Sequence, residues 1–293
     1  MELHALAGLL DLHWGLTGAV VAPLGGGMNS ETWSVDAGSS RYVAKRVAPS
    51  EVEQLEAGCA VAEQLHGAGL VTGRPIRTVD GSLVAYDEHL ALLEYVPGRE
   101  LVGETSDEQR WIGRTLARVH SAGGPSGNRP GSTGFFDWIE PSAPGVDAHD
   151  WLAPAIEAAR AATDGHSVTW SLLHADPSPE AFRHDDATGV TGVIDWTGAQ
   201  RGPALYDVAS TVMYLGGPER STAFLDAYSA ASPLADDELR HLDDFRLFRF
   251  AVQGVYFAGR LAAYDLTGIT DQSENQKGLD DARRGLAELL PQR

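Results

Sequence analysis

The sequence predicts an α+β fold of two lobes, a small strand-rich lobe followed by a larger helical one. Short runs of β-branched and aromatic residues, separated by turn residues, fill the first third of the chain. Apolar residues at helical spacing dominate the remainder. Pro97-Gly98 ends the strand-like apolar pattern and marks the boundary between the two regions. We therefore predict a first lobe over residues 1–96 and a second lobe over residues 97–293.

Each element of the first lobe has its own signal. Leucines at 3, 6, 9 and 10 predict a short opening helix. Two strands are predicted at 32–35 and 42–47, joined by a turn. Residues 51–66 predict a helix that ends at Gly67. The turn signal Asp80-Gly81 predicts a hairpin over 76–86, and the apolar run 89–95 predicts a further strand.

Helices dominate the second lobe. Ile112, Leu116 and Val119 repeat at the spacing of one helix face. The Gly-, Pro- and Ser-rich segment 121–133 predicts a loop. Further helices are predicted over the segments 151–162, 206–215, 222–229 and 236–264.

The composition excludes several partners. The chain has 22 Lys and Arg against 41 Asp and Glu, a net charge of −19, so nucleic acid and anionic membranes are not expected partners. A cationic ligand would be attracted, although solubility alone also accounts for this charge. Cys59 is the single cysteine, which excludes an internal disulfide and fits the cytoplasm. The first twenty residues lack the pattern of a signal peptide, and no apolar run is long enough to span a bilayer.

A glycine-rich run suggests phosphate binding in the first lobe. It reads Gly25-Gly26-Gly27-Met28-Asn29-Ser30 and precedes a predicted strand. Backbone amides in such a loop can face phosphate oxygens, although an ordinary turn has the same composition. Lys45 follows on the next strand, where its ammonium could bind phosphate or simply face solvent.

Two carboxylates mark the second lobe. His174-Ala175-Asp176 is followed by Asp195 at the end of the apolar run Val193-Ile194. Asp207 comes next, in the segment Gly202-Pro-x-x-Tyr206-Asp207. Phosphoryl transfer needs one carboxylate to orient and deprotonate the acceptor hydroxyl, and another to hold the metal that offsets the phosphate charge.

Together these motifs resemble the aminoglycoside phosphotransferase and choline/homoserine kinase group, which has a two-lobed protein-kinase-like fold. The resemblance covers residues 20–215 and implies a cytoplasmic phosphotransferase that uses ATP or GTP with Mg²⁺. It makes Asp176 the catalytic base and Asp195 a metal ligand, with His174 and Asp207 as structural support. The implied nucleotide-binding residues are Gly25, Gly26, Gly27, Asn29, Ser30, Lys45, Glu94 and Val96, the last two contributing main-chain groups to the adenine.

Two positions depart from the family pattern. Gly58 stands where relatives carry the helix glutamate that pairs with the strand lysine. Ala181 stands where relatives carry an asparagine that binds metal. We hypothesise that the adjacent Glu180 replaces that asparagine, since Mg²⁺ accepts carboxylate oxygen. The alternative is that Glu180 is solvated and one ion site is lost or weakened.

The acceptor is predicted only as a hydroxyl on a small molecule, such as an aminoglycoside-like antibiotic, an amino alcohol or a sugar; a peptide Ser or Thr is a further alternative. Gln253, Tyr256 and Arg260 are candidate substrate contacts, because polar groups on an apolar helix need partners. The same helix could equally be core. The competing function is a catalytically impaired protein that only binds a nucleotide or metabolite, which the departures at Gly58 and Ala181 would suit.

Overall fold

The computed structural model of the chain describes residues 2–25, 29–124, 136–235 and 237–290. The chain divides into two compact units. The first consists of Met1–Leu101 with Glu180–Ala199, and the second of Val102–Pro179 with Gln200–Arg293. The segment 180–199 thus belongs to the first unit, whereas the sequence-based boundary at residue 96 placed it in the second lobe. In the described ranges, no helix has both the length and the apolar composition to cross a membrane.

The first unit is built on a four-stranded antiparallel sheet in the order β1-β2-β3-β4. Its strands are β1 (Val20–Leu24), β2 (Ser30–Ala37), β3 (Ser40–Val47) and β4 (Leu90–Glu94). The predicted strands at 32–35, 42–47 and 89–95 are confirmed, and β1 is an addition. A two-residue turn joins β2 to β3, and its Gly38 has φ 63°, a left-handed conformation that glycine adopts without steric cost.

Two helices cover opposite faces of this sheet: α1 (Leu3–Trp14) and α2 (Val52–Gly67). Leu6 and Leu10 of α1 pack in one core cluster with Leu90 and Leu92. The intervening Ala91 belongs to a second cluster, together with residues of α2. Because side chains alternate across a strand, this arrangement buries both faces of β4.

The predicted hairpin over 76–86 is wrong. This segment contains no strand and forms one isolated bridge, between Ala85 and Leu90. Thr78 instead organises a tight turn: its hydroxyl donates to Asp80, and its Oγ1 accepts from the Ser82 amide at 2.9 Å. Side-chain bonds of this kind compete with ladder hydrogen bonds, so the turn signal did not produce paired strands.

The remaining strands are short: β5 (Arg99–Glu100), β6 (Trp170–Leu173), β7 (Phe182–Asp185), β8 (Val190–Val193) and β9 (Gln200–Pro203). In the first unit, β5, β7 and β8 form a three-stranded sheet. In the second unit, β6 pairs with β9. The chain leaves β6 at the predicted catalytic loop.

The second unit is mainly helical. Its helices are α3 (Ser106–Ala122), α4 (Leu152–Thr163), α5 (Ala204–Tyr214), α6 (Thr222–Ser229), α7 (Leu242–Ala262) and α8 (Gln272–Leu289). α7 packs against α4, α5 and α8, and α3 packs against α6. The helices predicted around residues 112–119 and at 151–162, 206–215 and 222–229 are confirmed. The one predicted over 236–264 is shorter, because a 3₁₀ turn over Glu238–His241 precedes α7.

Candidate active site

Lys45 and Asp195 meet in the first unit. Lys45 is buried on β3, and its Nζ donates to Asp195 Oδ1 at 2.5 Å. The Asp195 side chain is 56% exposed, so the pair is open to solvent on the carboxylate side. Asp195 has φ 68°, a left-handed conformation that is uncommon outside glycine and is found at functional turns.

Gly58 brings α2 directly against the turn that carries Asp195. A Cβ at this position would lie 2.5 Å from the Trp196 carbonyl oxygen and 3.1 Å from Thr197 Cα. The Trp196 indole donates to Thr72 O at 3.0 Å, which holds the turn in place. The structure therefore leaves no room for a glutamate at residue 58, and Lys45 has Asp195 as its acidic partner.

The predicted phosphate-binding loop is only partly described. Gly25 follows β1, and Ser30 opens β2, where it pairs with Val47. Gly26 and Gly27 lie outside the described residues. Asn29 precedes the first paired residue of β2. The described part of the loop thus spans the ends of two adjacent strands of the sheet that also carries Lys45.

Glu94 and Val96 lie at the end of β4. Glu94 pairs with Tyr42 across the sheet, and its carboxylate accepts from Arg74 Nε at 3.1 Å. Val96 is buried two residues later. The proposed adenine contacts use main-chain groups of these residues, so they stay a prediction.

Asp207 fixes the backbone of the catalytic loop in the second unit. It is fully buried on the first turn of α5. Its carboxylate accepts from the amide of His174 at 2.7 Å and from that of Ala175 at 2.9 Å. Ala175 has φ 73°, so these bonds hold the loop in a conformation that glycine adopts more readily.

His120 extends this buried network. Its Nε2 lies 3.0 Å from Asp207 Oδ2, and its Nδ1 lies 2.7 Å from the Tyr228 hydroxyl. A carboxylate only accepts, so we assign the proton to Nε2. Burial raises the pKa of Tyr228 well above its usual value, which keeps this hydroxyl protonated as the donor to Nδ1. Neither partner of His120 is predicted from the sequence.

Asp176 projects from this loop with 62% of its side chain exposed. Tyr214 donates to its Oδ1 at 2.6 Å, and Arg249 Nη2 donates to the same oxygen at 3.2 Å. Neither partner was predicted from the sequence. The available signals were the helical spacing of Tyr214 from Asp207, and an arginine within the apolar stretch of α7.

Glu180 and Ala181 lie where the first unit's hairpin ends. Ile194 donates its amide to Ala181 O at 2.9 Å, which continues the pairing of Phe182 with Val193. The Ala181 side chain is buried and offers no ligand atom. Glu180 is exposed and lies in the 3₁₀ turn Pro179–Ala181 that precedes β7, and the exposed Asp195 follows Ile194 after β8. Two exposed carboxylates near one hairpin end fit the oxygen ligands that Mg²⁺ takes.

In the structure, Gln253 and Arg260 make hydrogen bonds within the second unit, and their substrate role stays a prediction. Gln253 donates to Gly278 O of α8 at 2.9 Å. Arg260 donates to Asn275 Oδ1 at 2.9 Å and to Thr267 O at 2.6 Å. These bonds join α7 to α8.

Tyr256 belongs to the same contact region, with the Arg260 guanidinium 5.7 Å from its ring centroid. The helical rise places Arg260 about 16 Å along α7 from Arg249, the residue that reaches Asp176. The role of Tyr256 as a substrate contact stays a prediction.

A cluster of two histidines and an acid lies near the start of α7. His166 Nε2 is 2.8 Å from Asp244 Oδ2, and the His166 and His241 rings are tilted by 33° with their centroids 3.8 Å apart. Arg240 donates to His241 Nε2 at 3.0 Å. The cluster is therefore a hydrogen-bonded group that connects residue 166 to the start of α7.

Comparisons with known proteins agree with this fold. A family model described as "Phosphotransferase enzyme family" matches residues 20–243. A homoserine kinase of Methylobacillus glycogenes is 26% identical over 229 residues, which cover 72% of this chain and 71% of that protein.

Two solved structures share the fold. An amicoumacin kinase bound to AMP-PNP, Ca²⁺ and Ami has a TM-score of 0.72 at 14% identity, covering 100% of this chain and 96% of the other. A choline kinase from Streptococcus pneumoniae has a TM-score of 0.72 at 16% identity, covering 97% and 98%. The predicted α+β, kinase-like fold is confirmed. With three quarters of its length matched by the family model, the chain belongs to the phosphotransferase enzyme family.

Proposed function

We propose that the chain transfers the γ-phosphoryl group of ATP or GTP to a hydroxyl of a small molecule, in the cytoplasm. The observation that carries this proposal is that two exposed carboxylates are each held on a fixed support. Asp176 stands exposed on a loop whose backbone is fixed by buried Asp207, and Asp195 stands exposed beside buried Lys45. An exposed carboxylate on a rigid support suits a group that must orient a substrate.

Asp176 would orient the acceptor and take its proton. The acceptor oxygen forms a bond to the γ-phosphorus while the bond from that phosphorus to the β–γ bridging oxygen breaks, and ADP or GDP leaves. The hydroxyl proton passes to the Asp176 carboxylate. Family membership supports this role, because Asp176 stands at the matching position of the His-x-Asp pattern.

Lys45 and the Gly25–Ser30 loop would hold the nucleotide phosphates, with main-chain groups of Glu94 and Val96 at the base. In the structure the Lys45 ammonium is bonded to Asp195. A bound triphosphate offers that ammonium further oxygens, so Lys45 can hold phosphate while it keeps Asp195 in position.

Asp195 and Glu180 are the residues that would hold Mg²⁺. Both are exposed carboxylates at the end of the hairpin made by β7 and β8. When bound, Mg²⁺ supplies the positive charge that offsets the phosphate oxygens. Glu180 would stand in for the asparagine whose position Ala181 occupies.

An amine-bearing acceptor suits the chain best. The net charge of −19 favours a cationic substrate, although solubility also explains this charge. The relatives named above act on homoserine, choline and amicoumacin according to their names. We therefore propose an amino alcohol, a hydroxylated amino acid or an amine-bearing antibiotic before a neutral sugar.

A screen with two readouts tests the proposal. Purified protein is incubated with ATP or GTP, Mg²⁺ and a panel of hydroxylated amines, amino acids, antibiotics and sugars, and both ADP or GDP release and the mass of each acceptor are measured. At least one acceptor is expected to gain a phosphoryl group. Thermal shift with ATP, with and without Mg²⁺, accompanies the screen, since a ligand of the native state raises its stability.

The outcomes separate the alternatives. Metal-dependent stabilisation that disappears in Asp195→Ala, together with a phosphorylated acceptor, supports the enzyme. Stabilisation by nucleotide with every acceptor unmodified supports the catalytically impaired binding protein, for which the missing ligand at Ala181 would be the structural reason. Insensitivity to nucleotide contradicts both functions.

A further inference from the structure

One face of α5 contacts four consecutive residues of the catalytic loop, from His174 to Pro177. Asp207 bonds the loop backbone at residues 174 and 175. One turn later, Thr211 donates to Pro177 O at 3.1 Å. Tyr214, at the end of the helix, donates to Asp176 Oδ1. Residues spaced by three or four along a helix share a face, so a single rigid element sets both the loop backbone and the Asp176 side chain.

Arg249 of α7 braces this arrangement from a second helix. The residue is 7% exposed. Nε donates to Ser210 Oγ on α5 at 2.6 Å, while Nη2 lies 3.2 Å from Asp176 Oδ1 and 3.2 Å from the Tyr214 hydroxyl. A buried guanidinium without an acid nearby is costly, so Asp176 is a partner that Arg249 requires.

Burial lowers the pKa of Arg249, but Tyr206, Tyr214 and Asp176 outweigh that effect and raise it above the usual value. The guanidinium is therefore charged at every pH at which proteins are normally folded. Its bond to Asp176 is charge-assisted, and such bonds are the stronger kind.

We propose that Arg249 and Tyr214 form a clamp that positions Asp176 for the transfer reaction. Both donors engage Oδ1, which fixes the rotation of the carboxylate and directs Oδ2 to the acceptor hydroxyl. Without them, an exposed aspartate samples several rotamers, and fewer of these place an oxygen at the hydroxyl. This inference rests on the proposed function, and it assigns positioning roles to two residues that never touch the acceptor.

If the clamp positions Asp176, its loss should lower kcat without changing KM for the nucleotide. Tyr214→Phe removes one donor to Oδ1 and is expected to lower kcat about 10-fold. Arg249→Met removes the other donor and the brace to Ser210, and is expected to lower kcat by roughly 10- to 100-fold. KM for the nucleotide should stay unchanged, because neither residue is proposed to contact it. Arg249→Lys should recover part of the loss.

Arg246→Met is the matched control. Arg246 lies on the same helix with 8% exposure, and its Nη1 bonds Asp243 at 2.6 Å. It therefore reports the cost of removing a mostly buried arginine from α7. Its kcat is expected to stay within about 2-fold of wild type; a loss matching that of Arg249→Met would assign the effect to the helix and overturn the proposal.

A double-mutant cycle tests whether the clamp acts through Asp176. Arg249→Met and Tyr214→Phe are each combined with Asp176→Asn, and both kcat and the melting temperature are measured. Non-additive losses in both quantities are expected. Additive melting temperatures would show that no clamp exists in solution, whatever the kinetics. Additive kcat effects with coupled melting temperatures would show a clamp that catalysis does not use, which also overturns the proposal.

The stability arm does not depend on the proposed function. If every acceptor in the screen stays unmodified, the phosphotransferase proposal fails by that result alone. Coupled melting temperatures would still show that the three side chains interact in solution. The proposed role of that interaction in positioning a catalytic base would nevertheless be contradicted. Tyr214→Phe keeps the cycle informative if Arg249→Met does not fold, because Tyr214 is 41% exposed and its ring is retained.

Discussion

Replacing Gly58 by alanine should destabilise the protein, against the usual trend for helix interiors. In an exposed helix interior, Gly→Ala stabilises by about 0.5–1 kcal/mol. At Gly58 the added Cβ would lie 2.5 Å from the Trp196 carbonyl oxygen and 2.8 Å from its carbon. Both atoms are backbone, and Trp196 is anchored by its indole bond to Thr72. The turn must therefore move by several tenths of an ångström or more.

The net effect follows from two opposing terms. Overpacking of this kind costs roughly 1–3 kcal/mol, and the helix propensity of alanine returns about 0.5–1 kcal/mol. Since the contacted atoms are anchored backbone, we expect the upper part of that range, a net loss of about 2 kcal/mol. Gly8→Ala in α1 is the control, because nothing lies within 4 Å of its added Cβ. That variant should gain about 0.5–1 kcal/mol.

Urea unfolding of the wild type and both variants, under one protocol, measures the difference. Gly58→Ala should also weaken Mg²⁺-dependent nucleotide binding, because the displaced turn carries Asp195. Equal stabilisation by Gly58→Ala and Gly8→Ala would refute the close approach of α2 to this turn. It would also remove the explanation for why Lys45 pairs with Asp195.

Three further predictions concern single groups. Asp207→Asn places an NH₂ against one of the amides of His174 and Ala175, and should cost about 2–4 kcal/mol in urea unfolding; wild-type stability would contradict the buried network. Burial raises the pKa of the Cys59 thiol from 9.0 to about 12, so the folded chain holds a proton that the unfolded chain releases in that range. Unfolding free energy should fall as pH rises from 9 towards 12, by up to about 1.4 kcal/mol per pH unit, and Cys59→Ala should remove that component; an identical slope in both proteins would reject the assignment. Glu180→Ala should raise the Mg²⁺ concentration needed for half-maximal nucleotide binding, and an unchanged requirement would show that Glu180 is not a ligand.

The sequence predicted the site best where local pattern determines the chemistry. The strand carrying Lys45 follows from β-branched spacing and is confirmed as β3. Family motifs placed Asp176, Asp195 and Asp207 in roles that stay predictions, although the contacts of Asp207 with the loop amides are what such a role requires.

The parts that sequence reasoning missed depend on distant contacts. Arg249 lies 73 positions from Asp176 in the chain, and no local pattern links the two. Gly58 was identified as a missing acid, whereas its significance is the space it leaves for the backbone of residue 196. The predicted hairpin at 76–86 failed because the hydrogen bonds of Thr78 are made by side chains, which a turn signal does not specify.

The proposed function requires that Asp176 acts as the catalytic base while Asp195 holds the metal. The most direct test measures the rate of phosphoryl transfer and the nucleotide affinity of Asp176→Asn on the same protein. The account predicts that kcat falls on the order of 10² or more while Mg²⁺-dependent ATP binding stays at the wild-type value. Asp226→Asn, an exposed acid on α6, should match wild type in both measurements. Retained turnover in Asp176→Asn, or equal losses of turnover and nucleotide affinity, would contradict the account.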